Sequence, residues 1–108
     1  MPEQTRPDEL GAAVERLAGR LRALPQRRLQ AGAAAAGLEL ARWLDREAQL
    51  LEFPGREPYV MPDEGVFVVG DQLSLAGREL LAVAASPGHG ALLAEAREKV
   101  AKAAREVG

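Results

Sequence analysis

Leucine, valine and alanine recur at steps of three and four residues through four successive segments, and this periodicity constrains the fold more than any other feature. Leu10, Val14, Leu17, Leu21 and Leu24 make the first set. Leu29, Ala33, Ala36, Leu40, Leu44, Ala48 and Leu51 make the second. Val66, Val69, Leu73, Leu80 and Ala84 make the third, and Leu93, Ala96, Val100, Ala103 and Val107 the fourth. Such steps keep side chains on one face of an α-helix, whereas a half-buried strand alternates at every second residue. The expected fold is therefore all-α, an antiparallel helical bundle of three to four helices forming a single helical domain over residues 1–108.

Proline and glycine punctuate the stripes. Residues 1–6 read as a loose tail. Pro7 suits a first helical turn, and Asp8 and Glu9 suit the positive helix end, so a first helix is expected over residues 7–24. Pro25 removes a helical hydrogen bond and clashes with the preceding turn. It either separates two helices or kinks one, and the second and longest helix spans about 25–52. Within it, Ala31-Gly32-Ala33-Ala34-Ala35-Ala36-Gly37 has almost no side-chain bulk, so another helix can approach closely. Gly32 and Gly37 each cost about 1 kcal/mol in a helix interior relative to alanine.

Pro54, Gly55, Pro58 and Pro62 end that helix and favour extended backbone. Val66-Phe67-Val68-Val69 suits a short strand or a helix. No partner strand is evident and the stripe continues in helical register, so a helix is expected over 63–84 with Asp63 as its N-cap. Ser86-Pro87-Gly88-His89-Gly90 is the next break. A last helix over 91–106 carries Glu95–Lys99 and Glu98–Lys102 at favourable four-residue spacing.

The apolar content is unusual in kind. There are 21 Ala and 16 Leu, but only Trp43, Phe53, Tyr59 and Phe67 are aromatic. Alanine buries little area, so stability must come from close helix contact, strong helix propensity and, in a small domain, a second copy of the chain. Cysteine is absent, which excludes disulfides and thiol catalysis. The first residues lack the apolar core of a signal peptide. The longest mainly apolar, uncharged stretch, 80–94, falls short of the ~20 residues of a membrane span and is broken by Pro87-Gly88. A cytoplasmic setting is expected.

Signals for chemistry are sparse. Arg16, Arg20, Arg22, Arg27 and Arg28 follow one another with no intervening acid. Arg16, Arg20, Arg27 and Arg28 are a candidate anion surface for nucleic acid or an acidic partner. The net charge of −2 and the lack of aromatics among these arginines favour a solvated helix face instead. His89 is the only histidine, and with no cysteine it offers no metal set of ordinary composition; it reads as a loop residue. Gly65 to Gly70 has phosphate-loop glycine spacing but lacks the lysine and hydroxyl, and Asp71 would repel phosphate. Gly88-His89-Gly90 fails the dinucleotide pattern at Leu93. No catalytic, cofactor-binding or metal-binding residue emerges.

The third stripe looks specified beyond generic packing. Asp71 and Arg78, and likewise Gln72 and Glu79, are seven apart and share helix faces. Gly70 and Gly77 mark the same helix. Val66, Phe67, Gly70, Leu73, Gly77 and Leu80 are the candidate interaction seam between helices or subunits. The run Val69-Gly70-Asp71-Gln72-Leu73-Ser74-Leu75-Ala76-Gly77-Arg78-Glu79-Leu80-Leu81 resembles a segment of small uncharacterised actinobacterial helical proteins. That resemblance covers the middle third of the chain and implies a bacterial, cytoplasmic setting with no catalytic residue to carry over.

The sequence thus points to a non-enzymatic helical protein that self-associates, as a homodimer, or binds a partner protein through apolar helix faces. A nucleic-acid-associated regulator using the 16–28 arginine cluster is the alternative. A small apolar ligand walled by Trp43 and Phe67 is a third reading.

Overall fold

The computed structural model describes residues 5–108. Helix α1 spans Pro7–Ala23, α2 spans Ala34–Glu52, α3 spans Val69–Ala84 and α4 spans Gly90–Val107. A turn at Gln26–Arg28 and a bulged segment at Leu29–Ala33 lead into α2, and a 3-10 turn at Val66–Val68 leads into α3. No strand occurs among the described residues. The fold is an all-α helical bundle, and Val66–Val69 is helical rather than extended.

The predicted stripes are the core. Leu10, Leu17, Leu44, Leu73 and Leu80 are fully buried, each worth about 1.5–3 kcal/mol relative to exposure. Around them lie Val14, Leu21, Leu29, Leu40, Val69, Leu93, Val100 and Val107. The half-buried members are Leu24, Leu51 and Val66 at the ends of their sets and Ala36 within the second.

Several local expectations need correction. Residues 1–4 of the expected loose tail lie outside the described residues. Arg6 is tied down, its carbonyl accepting from Glu9 N at 3.1 Å and Leu10 N at 3.2 Å. Pro25 separates two helices, because Leu24 and Pro25 are both extended, with ψ 143° and 153°. Gly32 is not an ordinary helix-interior glycine: its φ of 140° bends the chain just before α2, a conformation that side chains with a Cβ rarely adopt. Asp63 does not cap α3. Its Oδ1 accepts from Gly65 N at 2.9 Å, and Gly65, at φ 103°, holds the chain out of helix until Val66. On α4, neither expected Glu–Lys pair forms: Lys99 lies over the Trp43 ring at 5.1 Å and Lys102 faces Glu106 at 3.7 Å.

Helix direction follows from which residues meet. A Cβ on Gly37, near the start of α2, would lie 2.8 Å from Val69 at the start of α3. Further along, Asp45 of α2 meets Glu79 of α3. Helices α2 and α3 therefore run in the same direction, while α1 is antiparallel to both: Leu21 meets Gly37, and Val14 meets Gly77. The parallel pair requires a long return, supplied by residues 53–65. This strap runs back along α2 and is held by side chains. Tyr59 donates its N–H to Gln49 Oε1 at 2.8 Å while Gln49 Nε2 donates to Tyr59 O at 2.7 Å. Arg42 Nε donates to Met61 O at 2.8 Å, and Gln72 Nε2 to Pro62 O at 3.0 Å.

Around the bundle the neighbours follow the order α1, α3, α2, α4. Helix α3 sits deep between α1 and α2, and α4 sits further out on the other side.

Candidate functional site

Glycine explains why α3 sits deep. A Cβ on Gly70 would lie 2.9 Å from the backbone oxygen of Ala18. One on Gly77 would lie 2.8 Å from Val14 Cγ1, and one on Gly37 would lie 2.7 Å from Leu21 Cδ1. At Gly70 backbone meets backbone, and at Gly77 and Gly37 a neighbouring side chain fills the space a Cβ would take. The same seam carries a polar network. Arg22 Nε donates to Asp71 Oδ1 at 2.8 Å, and its Nη2 donates to Ser74 Oγ at 2.9 Å. Ser74 Oγ donates in turn to Glu15 Oε1 at 3.1 Å.

This places most of the candidate seam inside the chain. Gly70, Leu73, Gly77 and Leu80 are buried within the chain, Gly70 and Gly77 against α1. Val66 is half-buried, and Phe67 is 65% exposed. The polar positions divide as their spacing implies. Asp71 and Arg78 lie on an exposed side of α3, while Gln72 and Glu79 turn toward the strap and α2.

What the molecule leaves on its surface is one-sided. Among the described residues the exposed large apolar side chains are Phe53, Tyr59, Val60, Phe67 and Leu75, on the strap, the 3-10 turn that follows it, or the outer side of α3. None belongs to α1 or α4. Arg56 lies over the Phe53 ring at 4.7 Å. Sequence periodicity missed Tyr59, Val60 and Leu75 because it ranks residues by their place in a stripe, and these stand outside every stripe.

The arginine cluster is also divided. Arg22 is committed to Asp71 and Ser74, and Arg28 Nη2 donates to Val107 O at 3.2 Å, where it faces the negative end of α4. Arg27 is exposed on the turn before α2. Arg16 and Arg20 flank a groove of about 350 Å³ between α1 and α4, together with Arg97, over a floor that includes Leu17, Val100 and Ala104. Arg97 holds Glu9 at 3.4 Å at one end. Among the described residues neither Arg16 nor Arg20 has an ion-pair partner.

Charge follows the bundle order. Residues 39–79, which hold most of α2, the strap and most of α3, carry nine acids against four arginines. The rest of the chain, dominated by α1 and α4, carries seven acids against ten cations. Since α2 lies beside α3 and α4 beside α1, the molecule has an acidic, aromatic side and a basic side.

Trp43 lines a different groove, of about 120 Å³, between α2 and α4 with Leu40, Lys99 and Ala103. Phe67 is not among its walls, so the structure does not bring Trp43 and Phe67 together around a ligand. His89 caps α4 by its backbone, its carbonyl accepting from Leu93 N at 3.0 Å, and its Nδ1 faces Ser86 O at 3.3 Å. Among the described residues no group of three or more His, Cys, Asp or Glu is arranged to hold a metal ion. No described helix is long and apolar enough to cross a membrane. Comparison with known proteins finds no matching family model, no matching curated protein and no matching solved structure.

Proposed function

We propose that this is a non-enzymatic, cytoplasmic protein that works by associating with copies of itself. The observation that carries the reading is that the large apolar side chains left exposed among the described residues, Phe53, Tyr59, Val60, Phe67 and Leu75, lie on the strap, the turn after it and α3, with none on α1 or α4. Scattered surface hydrophobes are ordinary, whereas several large ones on one side mark an interaction face. Aromatic side chains supply the most contact area there at low conformational cost. The strap that presents three of them is hooked to α2 and α3 by Gln49, Arg42 and Gln72, so little ordering is left to be done on binding. Two of the five arginines near α1 are committed within the chain, which weakens the alternative of a nucleic-acid surface.

Light scattering across a range of protein concentrations tests the proposal. The expected result is a mass above the 11.5 kDa of one chain, rising with concentration, and a shift toward that mass in Phe67→Glu. A single 11.5 kDa species at every concentration would overturn it.

A further inference from the structure

Building on self-association, we propose that copies join head to tail, the strap-and-α3 face of one seating against the arginine groove between α1 and α4 of the next.

The argument is one of charge and position. The strap side that carries Tyr59, Val60 and Phe67 also carries Glu57, Asp63 and Glu64, with Arg56 as the only cation within the strap. A twofold contact pairs a patch with itself, so joining two strap faces would bring these acids toward their own copies. Like charges so placed oppose association. The α1–α4 groove presents the complement, with Arg16 and Arg20 free of carboxylate partners among the described residues and Arg97 beside them. Its floor is apolar, so an aromatic side chain entering it loses water on both sides of the contact. The guanidiniums at its rim face acids in the fork geometry that arginine suits best.

The two faces belong to different helix pairs, α2 with α3 and α1 with α4. One copy can therefore use both at once, and the contact repeats from copy to copy until a ring closes or a filament grows.

Complementary variants separate this arrangement from a twofold dimer. Arg16→Glu with Arg20→Glu spoils the groove, and Val60→Lys with Phe67→Lys spoils the face. All four positions are exposed, so both proteins should fold, as circular dichroism and thermal melts would verify. Arg16→Gln with Arg20→Gln replaces the first variant should it unfold. Each variant alone is expected at monomer mass. An equal mixture is expected to give a complex of two chains and no larger, because each pair contains one intact groove and one intact face. The wild-type association is expected to weaken at least tenfold between low and high salt, since its ion pairs are screened.

If the wild type associates but the mixture stays monomeric, or if the groove variant associates as the wild type does, head-to-tail joining is overturned while self-association stands. A wild type that is monomeric throughout overturns both.

Discussion

Arg22 on α1 reaches Ser74 on α3, its Nη2 donating to the Ser74 Oγ across 2.9 Å at a side chain only 1% exposed. Ser74 is the one buried polar residue among the described residues, and both of its hydrogen bonds go to α1. It fixes how far α3 can slide along α1. Ser74→Ala is expected to cost about 1–2 kcal/mol, because two hydrogen bonds to charged groups are lost. Urea unfolding checks this. Arg22→Met should cost a similar amount, and the double variant should cost less than the sum, since the two residues share one interaction.

The close-packed glycines should rank by what a methyl group would meet. Gly70→Ala runs into the backbone of Ala18, and Gly77→Ala into the branched side chain of Val14. Both should destabilise by about 1–3 kcal/mol, Gly70→Ala the more, because backbone yields least. Gly19→Ala, on an exposed turn of α1 with nothing within 4 Å, should stabilise by up to about 1 kcal/mol through helix propensity. Thermal melts of the three variants would give the order directly. A stabilised Gly70→Ala would contradict the tight α1–α3 approach.

Gln49 clamps the strap through both the N–H and the C=O of Tyr59. Gln49→Leu should cost about 1–2 kcal/mol globally. Its larger effect is expected locally: faster amide exchange at Tyr59 and faster tryptic cleavage after Arg56, with the rest of the bundle unchanged. Equal protection of Tyr59 in both proteins would show that the clamp is dispensable.

Glu79 makes stability depend on pH. Although Glu79 is exposed, its carboxyl is held above the ordinary 4.5 by partial loss of water, then by its hydrogen bond with Asp45 and the charges of Asp45 and Glu52. A raised carboxyl keeps its proton in the folded chain after the unfolded chain has lost it. Stability from this group therefore falls as pH rises from 4.5 through the raised value. Glu79→Gln should melt at a slightly higher temperature than the wild type at neutral pH, and the difference should vanish below pH 4.5. A difference that is constant with pH would remove the charge explanation.

The core was legible because burial in a helix is a matter of period, and Leu10 through Val107 obey it. Helix direction was not, because a stripe reads the same whichever way its neighbour runs. The parallel course of α2 and α3 rests on Gly37 meeting Val69, a contact that no local pattern announces. Asp63 suits an N-cap by residue type, but its carboxylate serves a turn to Gly65, whose positive φ delays the helix. The acidic and basic blocks stood plainly in the sequence. Their gathering onto two sides depends on bundle order, which brings α4 beside α1 although they lie at opposite ends of the chain. Phe67 belongs to the candidate seam by its place in the sequence, yet on the 3-10 turn at Val66–Val68 its side chain is exposed while Gly70, Leu73, Gly77 and Leu80 are buried.

The strap also sets a rule of chain length. Helix α2 has 19 residues, so the return must cover about 28 Å. Residues 53–65, fully drawn out, would reach about 43 Å. About a third of that reach is slack, spent on the bend near Arg56 and on the side-chain hooks. Insertions at the Pro54-Gly55 tip should be absorbed at small entropic cost, since closure entropy grows only with the logarithm of loop length. Deletions are a different matter: once the slack is gone, α3 can no longer begin beside the start of α2. A family of shortened straps would therefore not weaken gradually. It should hold its stability over the first few residues removed and then fail sharply, or turn to borrowing α3 from a neighbouring chain.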